Sequence, residues 1–419
     1  MLFVLVNRPS APKQIDLGTE ANVTVEPNAG VESSENGVRV CVVGPGTYFL
    51  SAMTYYSFGL VAALARKNKV SAILVRRLIP ARLYPGRARV GATLSDLRLP
   101  PEVVVVDDVD WYWGPGMLRA LRLLRSQRVE VLVLEWWTGS VLHTYLILAL
   151  AARLLGARVV VEFHEVLDTA EARLGWVRWY VHAVAPTILR LASAFVVHNE
   201  HDRQLVIRRY RLRSNRTVVI HYPSFDPHGG AAVRQPREGP CRLLFFGTVR
   251  PYKGLEDLVV AFERLVEESG EQFELTIVGE TWEGWTLPDR LIDASTVRDR
   301  IRRVDRYVTD AEAAAHFAQA DVVVLPYLRC SSSGNLGTAM ALGLPVVTTR
   351  VGGLPEATAG YPGVVLAEAG NPDSLREAIM IAAGWRGRQF TGTESLQDSA
   401  TRYGELFDAV TQTASQTVR

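Results

Sequence analysis

The chain alternates short β-branched runs with helix-length stretches, and the alternation runs through it twice. The first series of apolar runs falls at residues 38–43, 70–75, 103–106, 129–134, 159–163, 194–198 and 218–220. The second falls at 242–246, 274–278, 321–325, 346–348 and 364–366, with helical patterns such as 255–268 and 309–319 between them. Runs that are apolar throughout suit strands buried on both faces, and strand–helix alternation builds parallel sheets covered by helices on both sides. The pattern therefore predicts an α/β protein of two doubly wound, Rossmann-like halves. Ligands of such sheets sit beyond the carboxyl ends of the strands, so two facing halves place a substrate in the cleft between them.

A length of 419 residues fits two domains of about 150 to 200 residues each. The expected division is a flexible extension over 1–37, a first domain over 38–225, a linker over the Pro- and Gly-bearing stretch 226–240, a second domain over 241–395, and a helix or tail over 396–419 that packs back on the first domain. Residues 141–155 form the longest apolar stretch, but His143, Thr144, Tyr145 and Arg153 interrupt it. It falls short of the ~20 apolar residues a membrane span requires and reads as a buried helix. Cys41, Cys241 and Cys330 are odd in number, far apart, and without a second cysteine or histidine at zinc-site spacing. That usage fits a reducing, cytoplasmic setting with no metal site.

Charge is divided unevenly. Residues 38–225 hold 25 Lys/Arg against 13 Asp/Glu, a net +12, whereas 241–419 hold 17 against 24, a net −7. Opposite halves attract across a cleft; alternatively the basic half faces an anionic surface. Six of the nine tryptophans lie between Trp111 and Trp179, beside Arg119, Arg122, Arg125 and Arg128 spaced by threes among leucines. Basic and aromatic residues together suit the inner face of a membrane carrying anionic lipid, and solvated arginines beside core tryptophans are the plainer reading. An acidic second half and the lack of a reader motif argue against nucleic acid.

Chemistry concentrates where the second series begins. Phe245-Phe246-Gly247-Thr248-Val249-Arg250-Pro251-Tyr252-Lys253-Gly254 follows a strand and precedes a helix. Two cations at the carboxyl end of a strand suit a diphosphate, since arginine grips phosphate oxygens with a planar fork and lysine acts as a point charge. The chain has 42 Arg but only four Lys, which makes Lys253 a selective choice. Downstream, a strand ending at Pro326-Tyr327 feeds the small polar loop Cys330-Ser331-Ser332-Ser333-Gly334-Asn335, and a helix starts there. Free backbone amides and the helix dipole would face an anion at that point.

In this order, FFGTVRPYKG, ADVVVLPY and SSGNLGTAMALGLPVVTTRVGGLPE resemble the large group 1 (family 4) of retaining GT-B glycosyltransferases, over most of the chain from about residue 38 to 383. The resemblance implies that Arg250, Lys253 and His164 are catalytic, and that Gly46, Gly247, Glu280, Ser333, Gly334, Asn335, Leu336 and Thr338 bind the donor. It places Gly44, Thr47 and His198 on the acceptor side. His198 and its neighbours equally suit a helix cap. Cys330 and Thr338 stand where the family commonly carries two glutamates, the second of which holds the donor ribose.

The activity so implied is transfer of a sugar, with retained configuration, from a nucleotide-diphosphate sugar to a glycan or lipid-linked acceptor. Fixed cations strengthen their hold as the leaving group gains charge, so neither a metal nor another cofactor is expected. A front-face path, in which the donor phosphate takes the acceptor proton, fits the absence of an obvious carboxylate nucleophile. Cys330 and Thr338 support a second reading, a non-catalytic sugar-nucleotide-binding or scaffolding module of the same fold.

Overall fold

The structure is a computed structural model that describes residues 37–78, 90–91, 94–165, 175–226, 238–269, 272–282, 284–391 and 394–417. The expected extension, apart from Gly37, lies outside the described residues, as do 227–237 of the expected linker.

The first sheet has strands β1 (Arg39–Pro45), β2 (Lys69–Arg77), β3 (Val104–Asp110), β4 (Val131–Trp136), β5 (Arg158–Phe163), β6 (Ala194–Val197) and β7 (Thr217–Val219). Their spatial order is β3-β2-β1-β4-β5-β6-β7, with every pairing parallel. The second sheet has β8 (Cys241–Phe246), β9 (Phe273–Val278), β10 (Ile301–Val304), β11 (Val322–Leu325), β12 (Val346–Thr349) and β13 (Val364–Ala367), in the order β10-β9-β8-β11-β12-β13 and again parallel. Strand order reverses between β1 and β4 and between β8 and β11. Those two switch points are where doubly wound sheets open a crevice at their carboxyl edge.

Strand β10 is absent from the sequence expectation. Its sequence, Ile-Arg-Arg-Val, carries charge on an edge strand, where charge discourages pairing with other chains but hides the strand from a hydrophobicity reading.

The helices of the first half are α1 (Ala52–Ala65), α2 (Gly114–Ser126), α3 (Leu142–Leu154), α4 (Gly175–Leu191) and α5 (Glu200–Tyr210). In the second half follow α6 (Leu255–Ser269), α7 (Leu287–Ala294), α8 (Asp310–Gln319), α9 (Gly334–Ala341), α10 (Leu354–Ala357), α11 (Pro372–Ala383) and α12 (Leu396–Thr417). The stretch 58–66 reads as a helix in the sequence, but α1 starts earlier, at Ala52, where Ser51 and Thr54 close a capping box. On one face of the first sheet, Leu123, Tyr145 and Ile188 of α2, α3 and α4 share a core. On the other face, Tyr403 and Phe407 of α12 join Tyr56 and Leu60 of α1. The last helix thus completes the first half, and burying a side chain the size of Phe407 is worth roughly 1.5–3 kcal/mol. Helix α3 buries Leu142, Tyr145 and Leu148 but leaves Leu150 and Leu154 in solvent. No helix among the described residues is long and apolar enough to cross a membrane.

Candidate functional site

At the carboxyl edge of β8 the backbone turns through Gly247 at φ 131°. A Cβ there would stand 2.5 Å from Asn335 Nδ2, and that amide donates to the Phe246 carbonyl at 2.6 Å. Gly254, at φ 63°, ends the same loop, and a Cβ on it would stand 2.0 Å from the Pro326 carbonyl oxygen. The Leu328 N–H donates to the Tyr252 carbonyl at 2.9 Å. The loop after β8 is therefore sewn to the loop after β11 and to the start of α9, and both glycines are needed for the close approach.

The two cations sit on this seam. The Lys253 ammonium lies 3.6 Å from the centre of the Tyr327 ring and 5.3 Å from that of Tyr252. Burial acts to lower its pKa, but Tyr327, Tyr252 and Cys330 outweigh burial and hold it above the ordinary lysine value, so the ammonium keeps its charge. The Arg250 guanidinium lies 3.9 Å over the Trp282 ring, and its Nε is buried without a hydrogen-bond partner. Trp282 comes from the loop after β9, which pairs with the Arg250 loop through Val249 N–H to Glu280 O (2.9 Å) and Trp282 N–H to Val249 O (3.1 Å). Glu280 accepts from the Trp282 indole at 3.3 Å. Gly247, Arg250, Lys253, Glu280 and Asn335 are thus brought together.

Helix α9 begins beside them. Ser333 is its N-cap and accepts from the Leu336 N–H at 3.3 Å. Gly334 meets the other half, a Cβ there lying 3.2 Å from Ala52 Cβ and 3.6 Å from Tyr222 Oη. Leu336 and Thr338 are buried in α9. The Cys330 thiol donates to the Ser332 carbonyl at 3.1 Å. Burial pushes it up to about 11, with Lys253 offsetting part of the effect, so neither Cys330 nor Thr338 brings a negative charge to this loop.

The first half presents a buried polar cluster under the edge of its own sheet. Glu162 Oε1 accepts from Tyr56 Oη at 2.5 Å and lies 3.2 Å from His164 Nε2 and 3.4 Å from His198 Nε2. His198 Nδ1 is 3.0 Å from the Ile220 carbonyl, and His198 Nε2 is 3.1 Å from His164 Nδ1. The carbonyl accepts only, so Nδ1 carries the proton and Nε2 of His198 accepts from His164. Burial alone would raise Glu162, but His164, His198 and Tyr56 bring it down to about 2. Burial drives His198 down to about 4, with His164 adding to the fall. Burial and then Glu162 push Glu135 well above the carboxylate range, so one neutral and one ionised glutamate sit side by side. Glu162, His164 and His198 are also the one trio with metal-ligand spacing among the described residues, their ligand atoms within 4.8 Å of one another.

Gly44 packs on this cluster: a Cβ would stand 2.4 Å from Glu135 Oε2 and 2.3 Å from Ser57 Oγ. The sequence reads as a strand over 38–43 followed by a glycine turn, but Gly44 lies inside β1, which extends through Pro45. Gly46 follows and donates to Val75 O at 3.0 Å, while Thr47 is exposed. His164 is buried, its ring turned into the cluster.

The halves touch across the carboxyl edges of both sheets. Asn199, the N-cap of α5, accepts from the Asp202 N–H at 2.7 Å, and its Nδ2 reaches Ser331 O at 2.9 Å. Glu356 accepts from the Glu200 N–H at 2.8 Å and lies 3.0 Å from His221 Nε2. Tyr55 donates to Asp310 at 2.6 Å, and Phe49 meets Trp282 with ring centres 6.2 Å apart. A cavity of about 10 Å³, lined by His198, Asn199, Tyr222, Ser333 and Leu336 among others, remains between the halves at this place. That cavity is the size of a water molecule.

Sequence reasoning overlooked Trp282, Tyr222, Glu135 and Glu162 as site neighbours. Glu162 had a signal, since a glutamate inside an otherwise β-branched buried strand needs a partner. Trp282 had one in its place two residues after Glu280.

Residues 240–383 match the family model for group 1 glycosyl transferases, and 35–223 match the glycosyl transferase 4-like domain. Among similar proteins, the glycogen synthase of Mycobacterium tuberculosis is 29% identical over 283 residues, 65% of this chain and 64% of that one. The GDP-mannose:glycolipid 4-beta-D-mannosyltransferase of Xanthomonas campestris is 31% identical over 149 residues, 34% of this chain and 41% of that one. The matched stretches therefore span less than two-thirds of either relative. Among solved structures, the catalytic domain of starch synthase IV from Arabidopsis thaliana, bound to ADP and acarbose, superposes with a TM-score of 0.62 at 14% identity, covering 90% of this chain and 99% of that one. That likeness is one of fold.

Proposed function

The chain belongs to the group 1 glycosyltransferases of GT-B fold, with the two family models accounting for most of its length, and on that premise we propose that it transfers a sugar from a nucleotide-diphosphate sugar to a glycan or lipid-linked acceptor. The observation that carries this reading is the seam of loops at the switch point of the second sheet. Arg250, Lys253 and the start of α9 all reach the carboxyl edge of β8 and β11. Departure of a nucleoside diphosphate places growing negative charge there, and fixed cations lower the barrier because they hold that charge more tightly than the ground state. In this reading Arg250 leaves Trp282 to grip a phosphate with its fork, Lys253 supplies a point charge, and the amides near Gly334 and Asn335 complete the cradle. Transfer proceeds with retention along a front-face path, the phosphate oxygen taking the acceptor proton, and no metal is needed.

His164 acts from within the first half. Its ring is held between Glu162 and His198, so the cluster fixes the main chain that follows β5 beside the reacting sugar. Opening of the halves admits the donor, and closure excludes water from it. The basic first half, in the same reading, lies against an anionic membrane surface.

Cys330 and Thr338 favour a second reading, a sugar-nucleotide-binding module without turnover, because neither supplies the carboxylate that family members use. A panel of uridine, guanosine and adenosine diphosphate sugars, followed for transfer and for slow hydrolysis, decides between them. Release of nucleoside diphosphate from one donor class supports the transferase; saturable binding without release from any donor supports the module.

A further inference from the structure

One cavity lies away from the cleft. It measures about 440 Å³ and is lined by Arg190, Arg209, Arg211, Arg213 and Arg216 together with apolar groups such as Leu189 and Phe195. No aspartate or glutamate lines it among the described residues. Arg190 is in the last turn of α4, Arg209 in the last turn of α5, and Arg213 and Arg216 precede β7. In a parallel sheet with returning helices these are all points at the amino edge, opposite the cleft.

Part of this charge has a structural duty. Arg216 donates through Nε to Ser193 O at 2.8 Å and through a terminal nitrogen to Ala192 O, where α4 ends. Burial first, and then Arg213 and Arg153, lower its pKa, which reports a pocket crowded with like charge. Arg211 is different. It occupies the left-handed cap of α5 at φ 53°, a position where glycine costs least, and it lines the cavity. Helix α3 ends nearby, with Arg153 in its last turn acting on Arg216, and its last residue Leu154 and its cap Leu155 are 88% and 46% exposed. An anion-seeking pocket thus stands beside a projecting apolar tip.

We propose that this cavity binds the phosphate headgroup of an anionic membrane lipid, with Arg190, Arg211 and Arg213 on the phosphate and Leu154 and Leu155 entering the acyl boundary. Guanidinium forks match phosphate oxygens, and exposed leucines next to cations suit the interface between headgroups and chains. The proposal rests on the reading that the first half faces an anionic bilayer, and it replaces a diffuse basic face with one defined site. It leaves the cleft, at the other edge of the sheet, free for donor and acceptor.

The experiment is sedimentation of the full chain with vesicles of phosphatidylcholine alone and of phosphatidylcholine with phosphatidylglycerol. The double variant Arg211→Gly/Arg213→Gln is compared with a control of equal charge loss on α2, Arg122→Gln/Arg125→Gln. Arg211→Gly relieves the left-handed position, so the melting temperature should hold or rise. We expect the wild type to partition onto the anionic vesicles, about thirtyfold loss for the cavity variant if both arginines reach phosphate, and a several-fold smaller loss for the α2 control. Equal losses in the two variants would overturn the cavity while leaving the bilayer reading intact. Wild type that fails to sediment with anionic vesicles would overturn the bilayer reading itself. Loss of vesicle binding in millimolar inorganic phosphate, with no difference between the two vesicle types, would assign the cavity to a soluble anion and refute the lipid.

Discussion

Replacing Lys253 by alanine separates a catalytic charge from a structural one. In the folded chain the ammonium is 3.6 Å from the Tyr327 ring centre and 5.3 Å from that of Tyr252. Such cation–π contacts are worth about 0.5–1 kcal/mol each at accessible sites and about 2 when desolvated. Losing them lowers the melting temperature by a few degrees at about 2–4 °C per kcal/mol for a domain of this size. Losing a preorganised charge aimed at a developing anion costs about 10²–10³ in kcat, or about 2.7–4 kcal/mol. The expected outcome is therefore a fold that melts within a few degrees of wild type and a turnover at least a hundredfold slower, measured by release of nucleoside diphosphate from the donor that the panel selects. Lys253→Arg keeps the charge but not the compact ammonium, and should recover part of the rate. A Lys253→Ala enzyme within threefold of wild-type kcat, with donor KM unchanged, would remove the diphosphate clamp from the mechanism.

Gly44→Ala sets a methyl 2.3 Å from Ser57 Oγ and 2.4 Å from Glu135 Oε2, so a loss of about 1–3 kcal/mol in denaturant unfolding is expected; unchanged stability would mean that the Glu135 side chain moves freely. The buried cluster gives an acid-sensitive fold. His198 stays neutral down to about 4 in the folded chain and protonates near 6.5 once unfolded, so the unfolded state binds more protons and stability falls as pH drops from about 6.5 to about 4, by up to about 3 kcal/mol. Glu162, depressed to about 2, extends the loss below about 4.5. Urea midpoints from pH 8 to 4 should fall for the wild type and flatten above pH 4.5 in His198→Asn, and an equal slope in both would refute the assignment. Glu356→Ala removes the acceptor of both the Glu200 N–H and the His221 contact. It should raise the open fraction, enlarge the radius of gyration in X-ray scattering and lower the donor KM, since a donor-competent form that is a fraction of the population weakens apparent affinity by that fraction; no change in either quantity would count against a closed resting form.

Much of the architecture was legible because buried parallel strands are apolar from end to end. The apolar run 129–134 reads as a buried strand, and β4 is buried along its whole length. Where polarity served another purpose the pattern failed: β10 hides behind Arg302 and Arg303, and the beginning of α1 rests on the local hydrogen bonds of Ser51 and Thr54. Within the site, Arg250 and Lys253 were visible from residue type and position. Their setting was not, because the aromatic rings beneath them, Trp282 and Tyr327, lie 32 and 74 residues away in sequence and are joined only by sheet topology. His164 is singled out by the resemblance, yet its environment is set by Glu162 two residues earlier and by His198 just past the end of β6. Alternation along β5 points neighbours to opposite faces and residues two apart to one, which is how one strand supplies both members of that pair.

The two departures from the family pattern act on the site in opposite senses. A thiol held neutral at about 11 and a buried threonine take the place of carboxylates, so the loop before α9 adds no negative charge next to Lys253. The field around the seam is consequently more positive than two glutamates would leave it, and on the proposed reading it would hold a diphosphate more tightly in the ground state. Uniform tightening lowers KM without raising kcat, so this gain helps catalysis only as far as Arg250 and Lys253 grip the departing phosphate more strongly than the bound one. On the same reading, what would be lost is the acceptor pair that fixes a ribose, and with it the lever that aligns the sugar over the first half. Alignment must then come from the closed contact between the halves, from Gly334 against Ala52 and Tyr222 and from Phe49 against Trp282. On the proposed reading, the same contact between the halves that leaves a cavity of about 10 Å³ would become the positioning device once donor is inside.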